Sequence, residues 1–438
     1  MQASNLSRTK VKKKLFEFFD KSVINKIGAQ SGFIQRQSKK ITAFDFVAGF
    51  IQCCCKKNNT YRQWATEIGS LSGRPVSKQA VFDRVGTGAV AFAERLVKRA
   101  ICRRLQPNKP GKLFGSFGKI LLHDSTTLRL PTVLAGWFKG NVANGEQKAV
   151  ARIQAIINLQ TMRFLHFDLG SFTQNDQGAS GLIEDFIAKG DLVIRDLGYF
   201  VLAPLQHIVM KQAYFLSRLK YGVTLYDLHG NKIDLTRLSN GKDIIDKEVL
   251  LGKRQQLQVR LIMIPLPQNI VNQRIRKARH DRDKRLNHNK AYYQRLHYNV
   301  FITNVGNQTW TARQAAQAYK TRWQIEIIFK SWKSGFYLQE IFHEGCTNPH
   351  RVRVNIYLLL LFMCLFMQKL YMPYKDHIQK HYGKDISLMK LSLYISNNLL
   401  MIFMFTKKQL GQQLAKHCCY DQRTDRVNMT DLLKILKN

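Results

Sequence analysis

Four polar residues recur at helical spacing in one stretch of the sequence, and their types suit a metal ion beside a phosphate. They are Tyr319, Arg322, Glu326 and Lys333. At about 100° per residue, this spacing places all four within an arc of about 60° on one face of a single helix. The positions between them hold large apolar residues, so much of the remaining circumference should be buried. The polar face is therefore predicted to bind a partner.

The residue types specify the chemistry of that face. The Glu326 carboxylate is an anionic oxygen ligand for a metal ion. Arg322 and Lys333 can neutralise phosphate oxygens close to it.

Two aspartates stand where short apolar runs end. Asp124 follows Ile120–His123, and Asp196 follows Leu192–Arg195. Strand ends in α/β folds gather ligands, because the sheet holds side chains rigidly and the loops leave room. An aspartate at a strand end is more often a turn former or a helix cap. Together with Glu326, however, the two aspartates make three carboxylates suited to one site.

Three carboxylates can hold two divalent ions about 3.5–4 Å apart, which is the arrangement that cleaves a phosphodiester by in-line displacement. Hard oxygen ligands favour Mg²⁺, and Mn²⁺ can substitute. We expect His123 to be structural rather than a ligand, although metal binding stays open. Asp176 and Glu146 are weaker candidates.

Composition independently predicts a polyanionic partner. The chain has 69 Lys and Arg against 29 Asp and Glu, a formal charge of +40, with a pI near 10.1. Such an excess favours nucleic acid, with an anionic membrane surface as the second possibility. Nine basic residues cluster between 274 and 295, opposed by two aspartates, and this segment predicts contact with a DNA backbone. The interleaved Tyr292 and Tyr293 are suited to stacking on unpaired bases, with ordinary packing as the default.

Location and redox state follow from simpler features. The first 20 residues lack an apolar run before a cleavage site, so we expect an intracellular protein. The eight cysteines form no pair of C-x-x-C motifs, which favours reduced and mostly buried thiols over a zinc site. The apolar run from Ile356 to Met367 is shorter than the roughly 20 residues of a bilayer crossing and predicts a buried helix.

The pattern of elements predicts an α/β fold. Short apolar runs predict strands at 120–124, 150–159, 164–169, 192–196 and 213–217, and helices are predicted near 178–189 and 199–211. A further strand is predicted at 299–305, and Thr311 is a predicted cap of the helix that carries Glu326. The order is three strands, helix, strand, helix, strand, which is typical of an α/β sandwich.

Four regions are predicted. Residues 1–110 are a helical, DNA-binding domain, in which 61–68 and 76–84 form a helix-turn-helix with Ser77 as N-cap; plain packing is the alternative for this pair. Residues 111–220 and 297–345 form the catalytic core. Residues 221–296 are a β-rich insertion ending in the basic segment, and residues 346–438 are a helical region with dimerisation as one suggested role.

At these residues the chain resembles the DDE transposases of bacterial insertion sequences, in the insertion-sequence-4-like branch with the signature Tyr-x2-Arg-x3-Glu-x6-Lys. Tyr319, Arg322, Glu326 and Lys333 match all four positions. Residues 196–200 match the motif Asp-x-Gly-Tyr-Phe, and Asp124-Ser-Thr matches the first motif. The resemblance extends from about residue 117 to about residue 345.

The resemblance implies a ribonuclease-H-like core, flanked by helical regions, in which Asp124, Asp196 and Glu326 are catalytic and bind two Mg²⁺ ions. It implies cleavage at the terminal inverted repeats of double-stranded DNA, then attack of the freed 3′ hydroxyl on target DNA. The partners implied are both DNA segments and a second protomer in a synaptic complex, without a membrane, in the bacterial cytoplasm at the nucleoid.

The resemblance also assigns roles to further residues. It implies that Arg322 and Lys333 hold phosphates and that Tyr319 contacts the transferred strand. In relatives that form a DNA hairpin, an aromatic residue near the end of the insertion stacks on a flipped base. Tyr298 and Trp310 are the candidate counterparts of that aromatic residue. Whether this chain uses a hairpin stays open.

Two other functions remain possible at this point. One is a catalytically inactive relative kept as a DNA-binding regulator, which a lost acidic residue would favour, and none is lost. The other is a nuclease of the same fold without strand transfer, or a basic protein at a membrane surface. A requirement for two paired DNA ends would separate the transposase from the nuclease.

Overall fold

The computed structural model describes residues 13–35, 41–55, 59–102, 111–238, 243–280, 288–342 and 345–421. The basic residues Arg282, Lys284 and Arg285 of the predicted DNA-binding segment lie outside these ranges.

One ten-stranded mixed sheet forms the centre of the molecule. Its strands are β1 (Ile120–Leu130), β2 (Lys139–Ala143), β3 (Glu146–Asn158), β4 (Arg163–Ser171), β5 (Leu192–Arg195), β6 (Tyr214–Arg218), β7 (Leu225–Tyr226), β8 (Ile245–Leu251), β9 (Leu257–Pro265) and β10 (Tyr298–Thr303). The spatial order is β2-β3-β1-β5-β6-β10-β9-β8-β7, and β4 also pairs with β3.

The part of the sheet that carries the predicted acids has the ribonuclease-H-like arrangement. β3 is antiparallel to both β1 and β4, whereas β1, β5 and β6 run parallel. The predicted α/β class and this core are therefore confirmed. The structure adds the short strand β2 and extends β1 to Leu130. The helix predicted at 178–189 is a run of 3₁₀ turns, Gly178–Phe186.

The insertion joins the core sheet. β10 pairs with β6 on one edge and with β9 on the other, so β7, β8 and β9 extend the same sheet. The described part of residues 221–296 contains these three strands and also three helices.

Helices cover the sheet and build both ends of the chain. They are α1 (Lys21–Gln30), α2 (Ala43–Cys55), α3 (Tyr61–Ser72), α4 (Lys78–Phe82), α5 (Thr87–Ile101), α6 (Leu202–Met210), α7 (Leu235–Leu238), α8 (Gln268–Arg279), α9 (Lys290–Arg295), α10 (Ala312–Lys320), α11 (Trp323–Lys330), α12 (Pro349–Phe366), α13 (Met372–Tyr382), α14 (Leu388–Asn397) and α15 (Lys407–His417). Residues 13–19 are also helical.

The N-terminal and C-terminal helices pack together. α12 lies against α5 and α2, and one continuous apolar core joins these helices to one face of the sheet. The division into separate domains at 110, 220, 296 and 345 stays a prediction.

The predicted helix-turn-helix differs from the structure at its turn. α3 continues to Ser72 and ends at Gly73, whose φ of 73° lies in the left-handed region that glycine tolerates. The turn is therefore later than predicted. Ser77 caps α4 by accepting a hydrogen bond from the Ala80 amide, as predicted. A DNA-reading role for this pair stays a prediction.

The apolar run at 356–367 lies in α12, which continues through one π turn into α13. Among the described residues, the continuous helix 349–382 is long and apolar enough to cross a membrane, with a mean hydropathy of 1.7 in its most apolar window. However, 83% of that window is buried inside the protein, as in the core helix of a soluble domain. The predicted buried helix is confirmed. All eight cysteines are free thiols, and seven are buried.

Candidate active site

Strand register brings Asp124 and Asp196 side by side. Leu122 of β1 pairs with Ile194 of the parallel strand β5. Both belong to the apolar core under the terminal helices. Because side chains alternate along extended backbone, Asp124 and Asp196, two positions further on, project from that same face of the sheet.

Glu326 approaches this face from α11. The helix packs against β1 and buries Ile325, Ile328 and Phe329 in the same core. Its polar face, which includes Glu326, is thereby turned toward the two aspartates. The three predicted acids come from a strand, a strand end and a helix, and the fold brings them together.

The Arg322 guanidinium lies between the three carboxylates. Its Nη2 is 2.6 Å from Glu326 Oε1, its Nη1 is 3.5 Å from Asp124 Oδ2, and its Nε is 3.8 Å from Asp196 Oδ1. The Arg322 residue is only 8% exposed. Burial would lower the pKa of Arg322, but the three carboxylates and Tyr319 more than offset this effect and raise the pKa.

Asp124 is the most buried of the three acids. Its side chain is 16% exposed, against 29% for Glu326 and 43% for Asp196. Burial raises the pKa of Asp124 to about 7, although the Ser125 amide and Arg322 lower it. The Ser125 amide donates to Asp124 Oδ1 over 2.8 Å, so the carboxylate is held at one end.

The donor set fits hard divalent cations. Three carboxylates and one guanidinium leave a formal charge of about −2 when all are ionised, and every free ligand atom is an oxygen. In the part of the chain that the structure describes, no three His, Cys, Asp or Glu side chains surround a single ion-sized space. Arg322 stands between the acids instead.

Comparison with known proteins identifies the family. The profile described as a transposase DDE domain matches residues 115–367, more than half of the chain. The chain belongs to the DDE transposases. The profile match extends beyond the predicted resemblance, which ended at about residue 345, to the end of α12.

Relatives from insertion sequences share most of the chain. The transposase of IS231B from Bacillus thuringiensis subsp. berliner is 26% identical over 371 residues, which cover 78% of this chain and 76% of that relative. The transposase of IS1151 from Clostridium perfringens is 27% identical over 357 residues, covering 75% and 74%. A solved structure, the piggyBac transposase synaptic complex with hairpin DNA, is similar at 10% identity and a TM-score of 0.45, covering 97% of this chain and 87% of that chain.

The predicted kinship with bacterial insertion-sequence transposases is confirmed. The protein is therefore an enzyme that cleaves and transfers DNA, and its family generally uses a divalent metal. Membership in the particular branch defined by the Tyr-x2-Arg-x3-Glu-x6-Lys signature stays a prediction.

Tyr319 belongs to the same cluster. Its hydroxyl donates to Asp196 Oδ1 at 3.4 Å, and the Arg322 guanidinium lies 5.8 Å from its ring centre. Burial raises the pKa of Tyr319 to about 12, so the phenol stays protonated at neutral pH.

The signature stretch is not the single α-helix that the sequence predicts. α10 ends at Lys320, a turn at residues 321–322 with hydrogen bonds spanning three residues joins it to α11, and residues 331–335 form a π turn. Thr311 does form a capping box, but it caps α10 rather than α11. Arg322 and Glu326 remain in contact across this joint, and Lys333 lies within the π turn.

Lys333 lies within the π turn, in the same signature stretch as Glu326. No described carboxylate lies within 4.0 Å of its Nζ, and burial lowers the pKa of its ammonium. The π turn packs against α14, where a Cβ on Gly335 would come within 2.0 Å of Ser392 Oγ. The position of Lys333 relative to the predicted polar face stays a prediction.

His123 lies on the opposite face of the sheet from the acids. It is fully buried, its ring packs 4.2 Å from that of Tyr199, and neither ring nitrogen has a hydrogen-bond partner among the described residues. Burial lowers the pKa of His123 well below its usual value. A structural histidine, as expected, accounts for these contacts.

The two aromatic residues considered for base stacking differ in their surroundings. Trp310 is 1% exposed, and its indole donates to the Leu113 carbonyl, so it is a core residue unable to stack on a base without unfolding. Tyr298 is 5% exposed and borders a cavity of about 380 Å³. Four basic residues also line this cavity: Arg218, Arg274, Lys277 and Arg295.

The sequence predicts Asp176 only as a weaker candidate metal ligand. In the structure its carboxylate accepts a hydrogen bond from Ser125, the residue after Asp124. The available signal was its position in a polar turn, Gln174-Asn-Asp-Gln177, directly after a strand.

Proposed function

We propose that this transposase binds the terminal inverted repeats of its insertion sequence and carries out metal-dependent strand cleavage and strand transfer, moving the element by cut and paste. Asp124, Asp196 and Glu326 are the proposed catalytic residues. The observation that carries this proposal is the convergence of these three carboxylates, from three separate elements, on one buried guanidinium. A structural ion pair needs one carboxylate, whereas this cluster concentrates three.

The same three carboxylates would hold two Mg²⁺ ions, or Mn²⁺ in their place. When bound, such ions activate the attacking oxygen and stabilise the leaving oxygen of the phosphodiester. The remaining residues serve the DNA itself. Arg322 has a planar fork suited to phosphate oxygens, and phosphate contacts would replace part of its pairing with the acids. Tyr319 orients Asp196 and contacts the transferred strand.

Binding of double-stranded DNA would use the basic surface of the insertion. Three basic residues of α8, namely Arg276, Lys277 and Arg279, are exposed. Arg274 is held by the Tyr298 carbonyl and the Asn299 side chain, so it anchors α8 to β10. Electrostatic contact of this kind gives affinity without sequence preference. The N-terminal helices are the proposed readers of the terminal repeats.

A homodimer in the synaptic complex follows from the need to cut two ends together. The proposed location is the bacterial cytoplasm, at the nucleoid, without a membrane. A high positive charge of +40 agrees with a protein kept on DNA.

The test uses labelled DNA ends taken from the sequence that flanks the gene. With Mg²⁺, wild-type protein should cut at the repeat boundary and join the cut end to target DNA, and both steps should depend on two ends in one complex. With Ca²⁺, binding should persist without cleavage. Equal cutting of single ends without joined product would instead establish a nuclease. Binding without any cut would establish the inactive regulator.

Lys333→Ala should weaken cleavage by about tenfold, which is less than the loss of a carboxylate. The change removes one phosphate contact and no metal ligand, and a charge-assisted hydrogen bond contributes about 1.5–3 kcal/mol. Cleavage rates at saturating DNA measure the effect. Lys408→Ala, at an exposed lysine of α15, is the control and should be unchanged. Wild-type rates in Lys333→Ala would remove this lysine from the site.

A further inference from the structure

Asp176 lies behind the active site, on the opposite face of the sheet from the three acids. It follows β4 and precedes the 3₁₀ segment Gly178–Phe186. Side chains of β1 alternate, so Ser125 projects to this rear face whereas Asp124 projects to the front. Asp124 and Ser125, which are consecutive residues of β1, therefore carry their side chains on opposite faces of the sheet.

One oxygen of Asp176 gathers three donors. Its Oδ1 accepts hydrogen bonds from Ser125 Oγ at 2.8 Å, Arg152 Nη1 at 2.6 Å and Gln154 Nε2 at 3.2 Å. Gln154 lies directly opposite Ser125 in the β1–β3 register, and Arg152 lies two residues along the same face. Arg152 is 7% exposed. The carboxylate therefore clamps two neighbouring strands.

Ser125 connects this group of hydrogen bonds on the rear face to Asp124 on the front face. Its hydroxyl donates to Asp176, and its backbone amide donates to Asp124 Oδ1 over 2.8 Å. A rotation or shift of Ser125 would thus move the hydrogen bond that orients the Asp124 carboxylate.

The same carboxylate lies against the turn that follows Asp196. A Cβ placed on Gly198 would lie 3.1 Å from Asp176 Oδ2 and 3.4 Å from Asp176 Cβ. This distance is tighter than an ordinary contact, so the absence of a side chain at Gly198 lets the Asp196 turn approach Asp176. This close contact is a steric reason for glycine at the third position of the Asp-x-Gly motif.

We propose that Asp176 is a positioning residue of the transposase, which holds Ser125 and through the Ser125 amide sets the orientation of the Asp124 carboxylate. This inference rests on the proposed catalytic role of Asp124. If Asp176 served only to neutralise Arg152, the ion pair between these two residues would be sufficient. The contact to Ser125 and the close approach to Gly198 link Asp176 to both segments that carry active-site aspartates.

The test is a double-mutant cycle with Ser125→Ala and Asp176→Ala in the full chain. Each single change should lower the single-turnover cleavage rate at saturating DNA by about tenfold or more, because small misplacements of a catalytic group cost up to about a hundredfold. The dissociation constant for the DNA end should stay within about twofold. The double variant should be no slower than the slower single variant, since both changes remove one connection.

Controls separate positioning from stability. Asp176→Ala leaves the buried Arg152 without its ion pair and risks unfolding, whereas Ser125→Ala keeps that pair intact. Asp176→Asn retains an acceptor oxygen for Ser125 and should recover most of the rate. Asp185→Asn, at an exposed aspartate of the following 3₁₀ segment, should behave like wild type.

Hydrogen exchange provides a readout that does not need activity. In Asp176→Ala and in Ser125→Ala, peptides covering β1 should exchange faster around Ser125, while the terminal helices keep wild-type protection, and Asp176→Asn should exchange like wild type. Additive effects in the cycle, a wild-type rate in Ser125→Ala, or unchanged exchange in β1 would overturn the inference. An inactive wild-type protein would contradict the proposed function alone, and the exchange data would still decide the positioning role.

Discussion

Asp196→Asn is expected to abolish DNA cleavage, with a loss of at least about a thousandfold, while DNA binding stays close to wild type. The change preserves the shape of the side chain and removes one of the three negative charges around Arg322. Charge stabilisation at a metal-assisted site contributes several kcal/mol, and each 1.36 kcal/mol is a factor of ten in rate. The basic surface is untouched, because the formal charge of +40 would rise by only one.

The measurement compares cleavage of labelled ends by wild type and variant in Mg²⁺, with affinity for the same DNA measured in Ca²⁺. Asp185→Asn makes the same chemical change at an exposed aspartate and should cleave normally. A rate within about tenfold of wild type in Asp196→Asn would exclude Asp196 from the catalytic set. Parallel loss of binding and cleavage would point to a structural role instead.

Arg322→Ala is expected to lower the cleavage rate by about a hundredfold to a thousandfold, as removal of one preorganised donor to developing charge does in other enzymes. Arg322 contacts all three carboxylates and is itself buried, so it holds the centre of the site before DNA arrives. Arg322→Lys keeps the charge but loses the planar fork, and should recover only part of the rate.

Thermal melting provides an independent measurement on the same variant. Without divalent ions, Arg322→Ala should melt below wild type, because three neighbouring carboxylates lose the guanidinium between them. Added Mg²⁺ should raise the melting temperature of Arg322→Ala more than that of wild type. Arg313→Ala, at an exposed arginine of α10, is the matched control and should respond like wild type. An equal Mg²⁺ response in Arg322→Ala and wild type would contradict the idea that the acids form a cation site.

Some features of the site can be predicted from short segments of the sequence. Two apolar runs that each end in aspartate predict strands β1 and β5, and the structure confirms both. The spacing of Arg322 and Glu326 predicts that they meet on one helical face, and their side chains are 2.6 Å apart. Such features depend on residues within a few positions of one another, which share one backbone geometry.

Other features depend on contacts between distant parts of the chain. The π turn that contains Lys333 packs at Gly335 against α14, a contact between segments distant in sequence that no local pattern predicts. The fusion of the insertion with the core sheet depends on β10 pairing with both β6 and β9. Burial of Trp310 likewise depends on residues 113–117, almost two hundred positions earlier.

The sequence by itself determined the chemical nature of this protein: a basic α/β enzyme with three acids, an arginine and a tyrosine in motifs of a DNA transposase. Tertiary structure alone decided how these groups meet. Arg322 contacts Asp124 across 198 positions of sequence, Tyr319 contacts Asp196 across 123, and Ser125 contacts Asp176 across 51. Side-chain type and local spacing are properties of neighbouring residues, whereas these contacts exist only because strand register and helix packing close long loops of chain.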